Sequence, residues 1–297
     1  MTMPNFLIIG AEKSGTSALY RYLKQHPDIY MSPVKEPGFF SFEEDQKPIS
    51  AGPAHFTTDL ITDIEAYQKL FKGVSGEKAI GEATPGYISN PVAPARIKRY
   101  IPNAKLIAIL RHPAERAYSN YLHALWLGFE PIPDFARALQ EEERRIQDGW
   151  GKLWRYKRKG FYYSLLKRYF DMFDRSQIKV YLYEDFRADP FSVLQDIFLF
   201  LEVDKTFVPD TTIKSNVSGV PKNKALHSAV IALNRPSIKK LIPSLLVQGL
   251  REPIRNLVLS KPPPLSPRVR RQLIEVYQED ILELQNLIDR DLSRWLE

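Results

Sequence analysis

The chain has no cysteine among its 297 residues, so it can form neither disulfides nor thiolate-ligated metal or iron–sulfur sites. It also lacks any apolar run approaching the roughly 18–20 residues needed to cross a bilayer. Its first ten residues carry no basic stretch, and the apolar segment Phe6–Ile9 is too short for a secretory signal. A cytoplasmic location is therefore expected. Internal repeats and low-complexity segments are missing as well. What remains is 44% hydrophobic and 26% charged, the balance of an ordinary globular protein. The length suffices to bury a substantial core, as one large α/β domain or two small ones.

Charge is one-sided but modestly so. The 42 Lys and Arg exceed the 35 Asp and Glu, for a net charge of +7. That excess favours an anionic partner: a phosphorylated cosubstrate, an acidic polymer or a membrane surface. Basic and aromatic residues do not interleave as in a nucleic-acid module, so no nucleic-acid partner is expected.

Phe6-Leu7-Ile8-Ile9 ends at Gly10, as a central parallel strand would. Residues Ser17 to Gln25 suit a helix stopped before Pro27. Further strands are expected at Lys78 to Gly81, Leu106 to Leu110 and Ile178 to Tyr183, with helices from Ala114 to about Leu127 and from Pro190 through Leu201. Strands alternating with helices predict an α/β fold, a central parallel sheet with helices on both faces. Residues 133–175 read as largely helical. Seven prolines between 235 and 267 keep helices there short. From Ser266 onward, Leu273, Val276, Tyr277, Ile281, Leu284 and Leu287 recur at helical spacing, with Ser266 as N-cap and Pro267 at the first helical position. We expect one domain over 1–297, with 235–297 as a helical C-terminal extension packed on it.

The loop Gly10-Ala11-Glu12-Lys13-Ser14-Gly15-Thr16-Ser17 joins the first strand to the first helix. Amides at a helix start point outward unpaired and the dipole adds positive charge, so an anion binds there readily. The glycine spacing matches the P-loop pattern G-x-x-x-x-G-K-S/T. Here, however, Thr16-Ser17 follows the second glycine, and the lysine stands at position 13. Such a lysine sits inside the loop rather than across terminal phosphates.

This arrangement resembles the 5′-phosphosulfate loop of sulfotransferases that use 3′-phosphoadenosine 5′-phosphosulfate (PAPS). Their usual core is P-K-S-G-T-S/T, and Glu12 stands here in place of the proline. The resemblance extends along the chain. Lys35-Glu36-Pro37-Gly38-Phe39-Phe40 is similar to the K-E-P-x-F-F segment of heparan-sulfate-type and related bacterial members, and Gly81-Glu82-Ala83-Thr84-Pro85-Gly86-Tyr87 to their G-E-x-S/T-P-x-Y segment. Arg111-His112-Pro113, with Arg116, Ser119 and Tyr121, is similar to the 3′-phosphate motif R-x-P-x-x-R-x-x-S-x-Y/W. Tyr183-Glu184-Asp185-Phe186 with Asp189-Pro190 is similar to a further segment.

The resemblance implies a P-loop-like fold and a PAPS cosubstrate held by Lys13, Ser14, Gly15, Thr16, Ser17, Arg111 and Ser119. It implies no metal. Glu36 is the expected general base for a hydroxyl or amine acceptor, a saccharide, lipid or small natural product, and Lys13 the expected charge at the leaving nucleotide. The alternative for Glu36 is a plain ion pair with Lys35 or Arg21, and for Arg111 a helix-cap or salt-bridge role. Tyr162, in a segment similar to the family's G-x-Y, either approaches the adenine or is core. Lys222 either contacts the 3′-phosphate or sits on a solvated turn. The family pattern often carries a histidine two residues after the base and an acid three further on. Here these positions are Gly38 and Ser41, which weakens a heparan-like acceptor. His55, His112 and His123 read as structural. Two rival functions remain: a P-loop kinase or NTPase with Asp185 as its metal-binding acid, and a non-enzymatic binder touching membranes peripherally through 238–258.

Overall fold

The computed structural model describes residues 2–42, 61–212, 220–221, 259–260 and 262–297. Lys222, His55 and the segment 238–258 lie outside the described residues.

The strands are β1 (Phe6–Gly10), β2 (Ile29–Met31), β3 (Ala79–Ala83), β4 (Lys105–Leu110), β5 (Ile178–Leu182), and the short β6 (Val220–Pro221) and β7 (Leu259–Ser260). The helices are α1 (Thr16–Leu23), α2 (Ile64–Lys69), α3 (Ala93–Tyr100), α4 (Pro113–Trp126), α5 (Phe135–Gln140), α6 (Glu142–Gln147), α7 (Tyr162–Phe170), α8 (Tyr183–Ala188), α9 (Pro190–Leu201) and α10 (Pro267–Ile288).

Strands β1 to β5 form one sheet in the order β2-β3-β1-β4-β5, and every neighbouring pair is parallel. Parallel strands buried on both faces need unbroken apolar runs, and all five residues of β1 are buried. Successive side chains of β1 and β4 point to opposite faces. Leu7, Ile9, Leu106, Ala108 and Leu110 join one core with residues of α3, α4, α7 and α10. Phe6, Ile8, Ile107 and Ile109 join another with residues of α1 and α9. Each fully buried Leu, Ile or Phe side chain among them contributes about 1.5–3 kcal/mol. The α/β fold with both sheet faces covered is as expected.

Boundaries moved where the sheet dictates them. The predicted strand at 78–81 runs on to Ala83, because Phe6 to Ile8 of β1 pair with Gly81 to Ala83. Strand β5 stops at Leu182, opposite Leu110, so Tyr183 opens α8 instead of ending a strand. The edge strand β2 was not foreseen; at three residues it has no periodicity to read. The 133–175 region is three short helices with tight turns between them. Ser266 does occupy the N-cap of α10, but its side chain makes no capping hydrogen bond.

The sheet order reverses at β1, which has β3 on one side and β4 on the other. In open α/β sheets ligands bind beyond the carboxyl ends of the strands at such a switch point. The loops after β1, β3 and β4 meet there.

Candidate active site

Loop 11–15 leaves β1 and turns into α1 through two left-handed residues, Lys13 at φ 69° and Gly15 at φ 92°. Glycine suits the second position for two reasons. It carries no left-handed penalty, and a Cβ there would stand 3.1 Å from the Tyr183 ring. As N-cap of α1, Gly15 has no side chain to offer the first-turn amides, which leaves them to an outside acceptor. The Ser14 hydroxyl is fully buried and makes no hydrogen bond among the described residues. Native structures leave few such groups unpaired. A donor that also needs a partner, backbone amides at a helix start and a lysine within one loop together fit an anion. Thr16 is buried beside them, and Ser17 is half-buried.

Lys13 is half-buried. Burial depresses its ammonium to about 8; Arg111 and Lys35 push the same way, while Glu12 and Glu36 oppose. Charged groups following β1, β2 and β4 thus all act electrostatically on this ammonium.

Arg111 follows β4 directly. Its Nη1 donates to the Lys13 carbonyl at 3.4 Å, its guanidinium lies 5.0 Å from the Tyr183 ring centroid, and Glu115 is 3.9 Å away. The salt-bridge alternative is thus present, but at a separation that contributes little. Ser119 is buried in α4, two turns beyond its start. Tyr162 is fully buried and donates to the Arg111 carbonyl at 2.9 Å; burial pushes its phenol up to about 12. Its hydroxyl thereby supports the Arg111 backbone.

Glu36 lies in an exposed turn at φ 63°. Its amide donates to the Ala83 carbonyl at 3.0 Å, and its carboxylate pairs with Lys35. The ion pair weighed for it from sequence therefore exists, without closing the carboxylate off from solvent. His112 caps α4 by accepting from the Ala114 amide at 3.2 Å and lies 3.0 Å from Arg270. Burial depresses it, like His123, to about 4. His112 is a structural cap, while half-buried His123 is depressed by burial and also by Lys13.

Several contributors were not assigned a role from sequence. Tyr183 packs against both Gly15 and Arg111. Glu184 accepts from the His112 amide at 3.1 Å, fixing the turn that carries Arg111. Glu12, half-buried at the family's proline position, forms an ion pair with the buried Lys159. The one available signal was that break in pattern: a carboxylate inside an anion loop needs a cation. Asp185, the acid an NTPase would use, pairs instead with Arg290 at 2.6 Å, with 47% of its side chain exposed.

A sequence profile of the sulfotransferase family matches residues 4–207. The chain belongs to the sulfotransferase family. A sulfotransferase from Alicyclobacillus acidocaldarius, known from its crystal structure, is 35% identical with a TM-score of 0.79, and each chain covers 100% of the other. The membrane-associated sulfotransferase kil1 of Dictyostelium discoideum is 35% identical over 155 residues, 50% of this chain and 30% of that protein. The mouse bifunctional heparan sulfate N-deacetylase/N-sulfotransferase 1 is 30% identical over 218 residues, 68% of this chain and 22% of that protein. This chain thus spans less than a third of the length of either relative. The profile takes in every sulfotransferase motif quoted above, from the loop after β1 to the segment after β5.

Proposed function

We propose that the protein transfers a sulfuryl group from PAPS to a hydroxyl or amine, with Glu36 as general base and without a metal. The observation that carries this reading is the loop after β1, where the uncapped first turn of α1 and the buried Ser14 hydroxyl stand beside Lys13, whose carbonyl accepts from Arg111. Lys13, Ser14 and the amides of Gly15, Thr16 and Ser17 would hold the 5′-phosphosulfate; Arg111 and Ser119 would hold the 3′-phosphate. When bound, PAPS supplies the sulfuryl group and a stable leaving nucleotide.

Sulfuryl transfer asks for positioning and charge stabilisation, as phosphoryl transfer does. Lys13 meets charge developing on the bridging oxygen, in a half-buried site where that contact is stronger than in water. Glu36, on an exposed turn, takes the proton from an acceptor arriving from solvent. The mouse relative's name specifies heparan sulfate; for this chain the acceptor class is a saccharide, lipid or small natural product. The catalytic unit is one domain, with 235–297 as its extension, since α10 packs on α4 and α7. Peripheral membrane contact through 238–258 is a separate expectation, read by liposome co-sedimentation.

Two variants separate binding from chemistry. Glu36→Gln should leave affinity for 3′-phosphoadenosine 5′-phosphate (PAP) unchanged and lower single-turnover transfer on the order of 10²–10⁴-fold. Lys13→Ala should lower both. Near-wild-type transfer by Glu36→Gln would place the base elsewhere. Loss of transfer on adding EDTA, with rescue by magnesium, would revive the NTPase alternative.

A further inference from the structure

Beneath the Glu36 turn lies a carboxylate that the mechanism above does not use. Glu82, on β3, is fully buried. Its Oε1 accepts from the Tyr67 hydroxyl at 3.3 Å and its Oε2 from the Thr84 hydroxyl at 2.8 Å; burial next to this carboxylate holds the Tyr87 phenol well above its ordinary range. Two of these hydroxyls reach upward too. The Gly38 amide donates to Thr84 Oγ1 at 3.4 Å, and the Phe40 amide donates to Tyr87 Oη at 3.3 Å.

The direction of these bonds follows from donor and acceptor inventory. Burial pushes the Glu82 carboxyl up to about 7, against the pull of the surrounding hydroxyls, so above that value it is ionised. An ionised carboxylate only accepts, and a hydroxyl has one proton and two lone pairs. Once Thr84 gives its proton to Glu82, the oxygen it turns toward the Gly38 amide can only accept. Chained bonds of this kind polarise one another. The turn they hold needs holding: Glu36 and Gly38 both have positive φ, 63° and 73°, which is costly for a residue with a side chain. The two positions where relatives often place a histidine and an acid beside the base are here Gly38 and Ser41. Gly38 accommodates the left-handed turn; the support comes from below.

We propose that Glu82 is the positioning residue for Glu36, acting through the Thr84 and Tyr87 hydroxyls on the backbone of the base-bearing turn. This rests on the reading of Glu36 as the base.

The test uses transfer from labelled PAPS to water, which needs no knowledge of the acceptor. In that step the bond from sulfur to the bridging oxygen breaks, the bond from sulfur to the water oxygen forms, and sulfate and PAP are the products. Glu36 receives the water proton. Glu82→Gln keeps the shape but places an amide donor against hydroxyls that must themselves donate. It should slow single-turnover transfer roughly ten- to hundredfold, the scale of a small misplacement of a reacting group. Affinity for PAP by calorimetry should stay within about twofold of wild type, since the loop after β1 makes no part of this network. Without nucleotide, deuterium exchange in a peptide spanning 36–42 should rise, while one spanning 11–17 stays as in wild type. Thr84→Val should act in the same direction and Thr84→Ser should restore transfer. That pair decides the matter should Glu82→Gln not fold.

Wild-type transfer and exchange in Glu82→Gln, or in Thr84→Val, would reduce Glu82 to a core residue and overturn the proposal. So would a parallel loss of PAP affinity, which marks general damage. Failure of the base reading looks different: Glu36→Gln itself would then transfer at the wild-type rate.

Discussion

The Arg111 guanidinium lies 5.0 Å from the ring centroid of Tyr183, and the same ring faces the place where Gly15 has no side chain. One aromatic residue, at the first position of α8, thereby fixes the separation between the loop after β1 and the arginine after β4. The two anion-binding ends assigned to the donor are held in register through one aromatic ring, with Glu115 only a distant 3.9 Å partner of the guanidinium. A guanidinium over a tyrosine face keeps its charge and its in-plane donors available.

Substituting that glycine should therefore damage donor binding more than folding. Gly15→Ala adds left-handed strain of about 1 kcal/mol and a methyl group at 3.1 Å from Tyr183. The expected outcome is a drop in melting temperature of a few degrees and a loss of PAP affinity on the order of tenfold or more. Calorimetry and a thermal melt on the same preparation check it; unchanged affinity would mean the loop does not seat the 5′ end.

Arg111 and Ser119 are assigned to the 3′-phosphate, so the protein should discriminate PAP from ADP. A charge-assisted bidentate contact is worth about 1.5–3 kcal/mol, which is roughly ten- to hundredfold in affinity. Arg111→Gln should erase most of that preference while leaving ADP affinity near wild type. Equal wild-type affinities for the two nucleotides would remove the assignment.

Much of this site was legible in the sequence because its parts are local. A buried strand, a glycine-bearing turn and a helix follow one another within twenty residues, so the sequence alone places the Lys13 loop. Arg111 was legible for the same reason, at the end of an unbroken apolar run. What stayed hidden depends on residues distant in the chain. Glu82 meets Tyr67 across 15 positions, and its partner Thr84 meets Gly38 across 46. Lys159 reaches Glu12 across 147. Tyr183 was read as the end of a strand, because nothing in its own composition reveals that β4 ends at Leu110 and leaves it no ladder partner. Lys222 and the proline-rich 235–258 stretch lie outside the described residues.

Donor affinity should depend on pH through Lys13. Burial sets its ammonium at about 8 in the free protein, and a bound phosphosulfate raises it again by favouring the charged form. The liganded state therefore binds more protons than the free state above that value. PAP affinity should be flat on the acid side of about 8 and fall toward alkaline pH, and Lys13→Arg, which stays charged, should remove the fall. Calorimetry between about pH 7 and 9.5 reads this directly. A wild-type affinity that holds steady through that window would separate Lys13 from the anion.

The last expectation concerns the ion pair at the broken family position. Lys159 is 6% exposed, and its partner Glu12 has 32% of its side chain exposed. Neutralising the carboxylate alone leaves a buried ammonium without its counter-charge. Glu12→Gln should then destabilise the fold toward the low end of the roughly 3–5 kcal/mol typical of breaking a buried pair, because Glu12 is partly solvated. Lys159→Met removes the charge that needs burying, fills a similar volume and should cost less. In the double variant the unpaired ammonium is gone, so its loss should be smaller than the sum of the two single losses, a coupling that a double-mutant cycle in urea measures. Donor binding adds a second readout. Glu12 opposes the depression of Lys13, so Glu12→Gln should also move the alkaline fall in PAP affinity to lower pH. Strict additivity in the cycle, with an unmoved pH profile, would make the pair a surface decoration and leave the replacement of proline by glutamate without a structural reason.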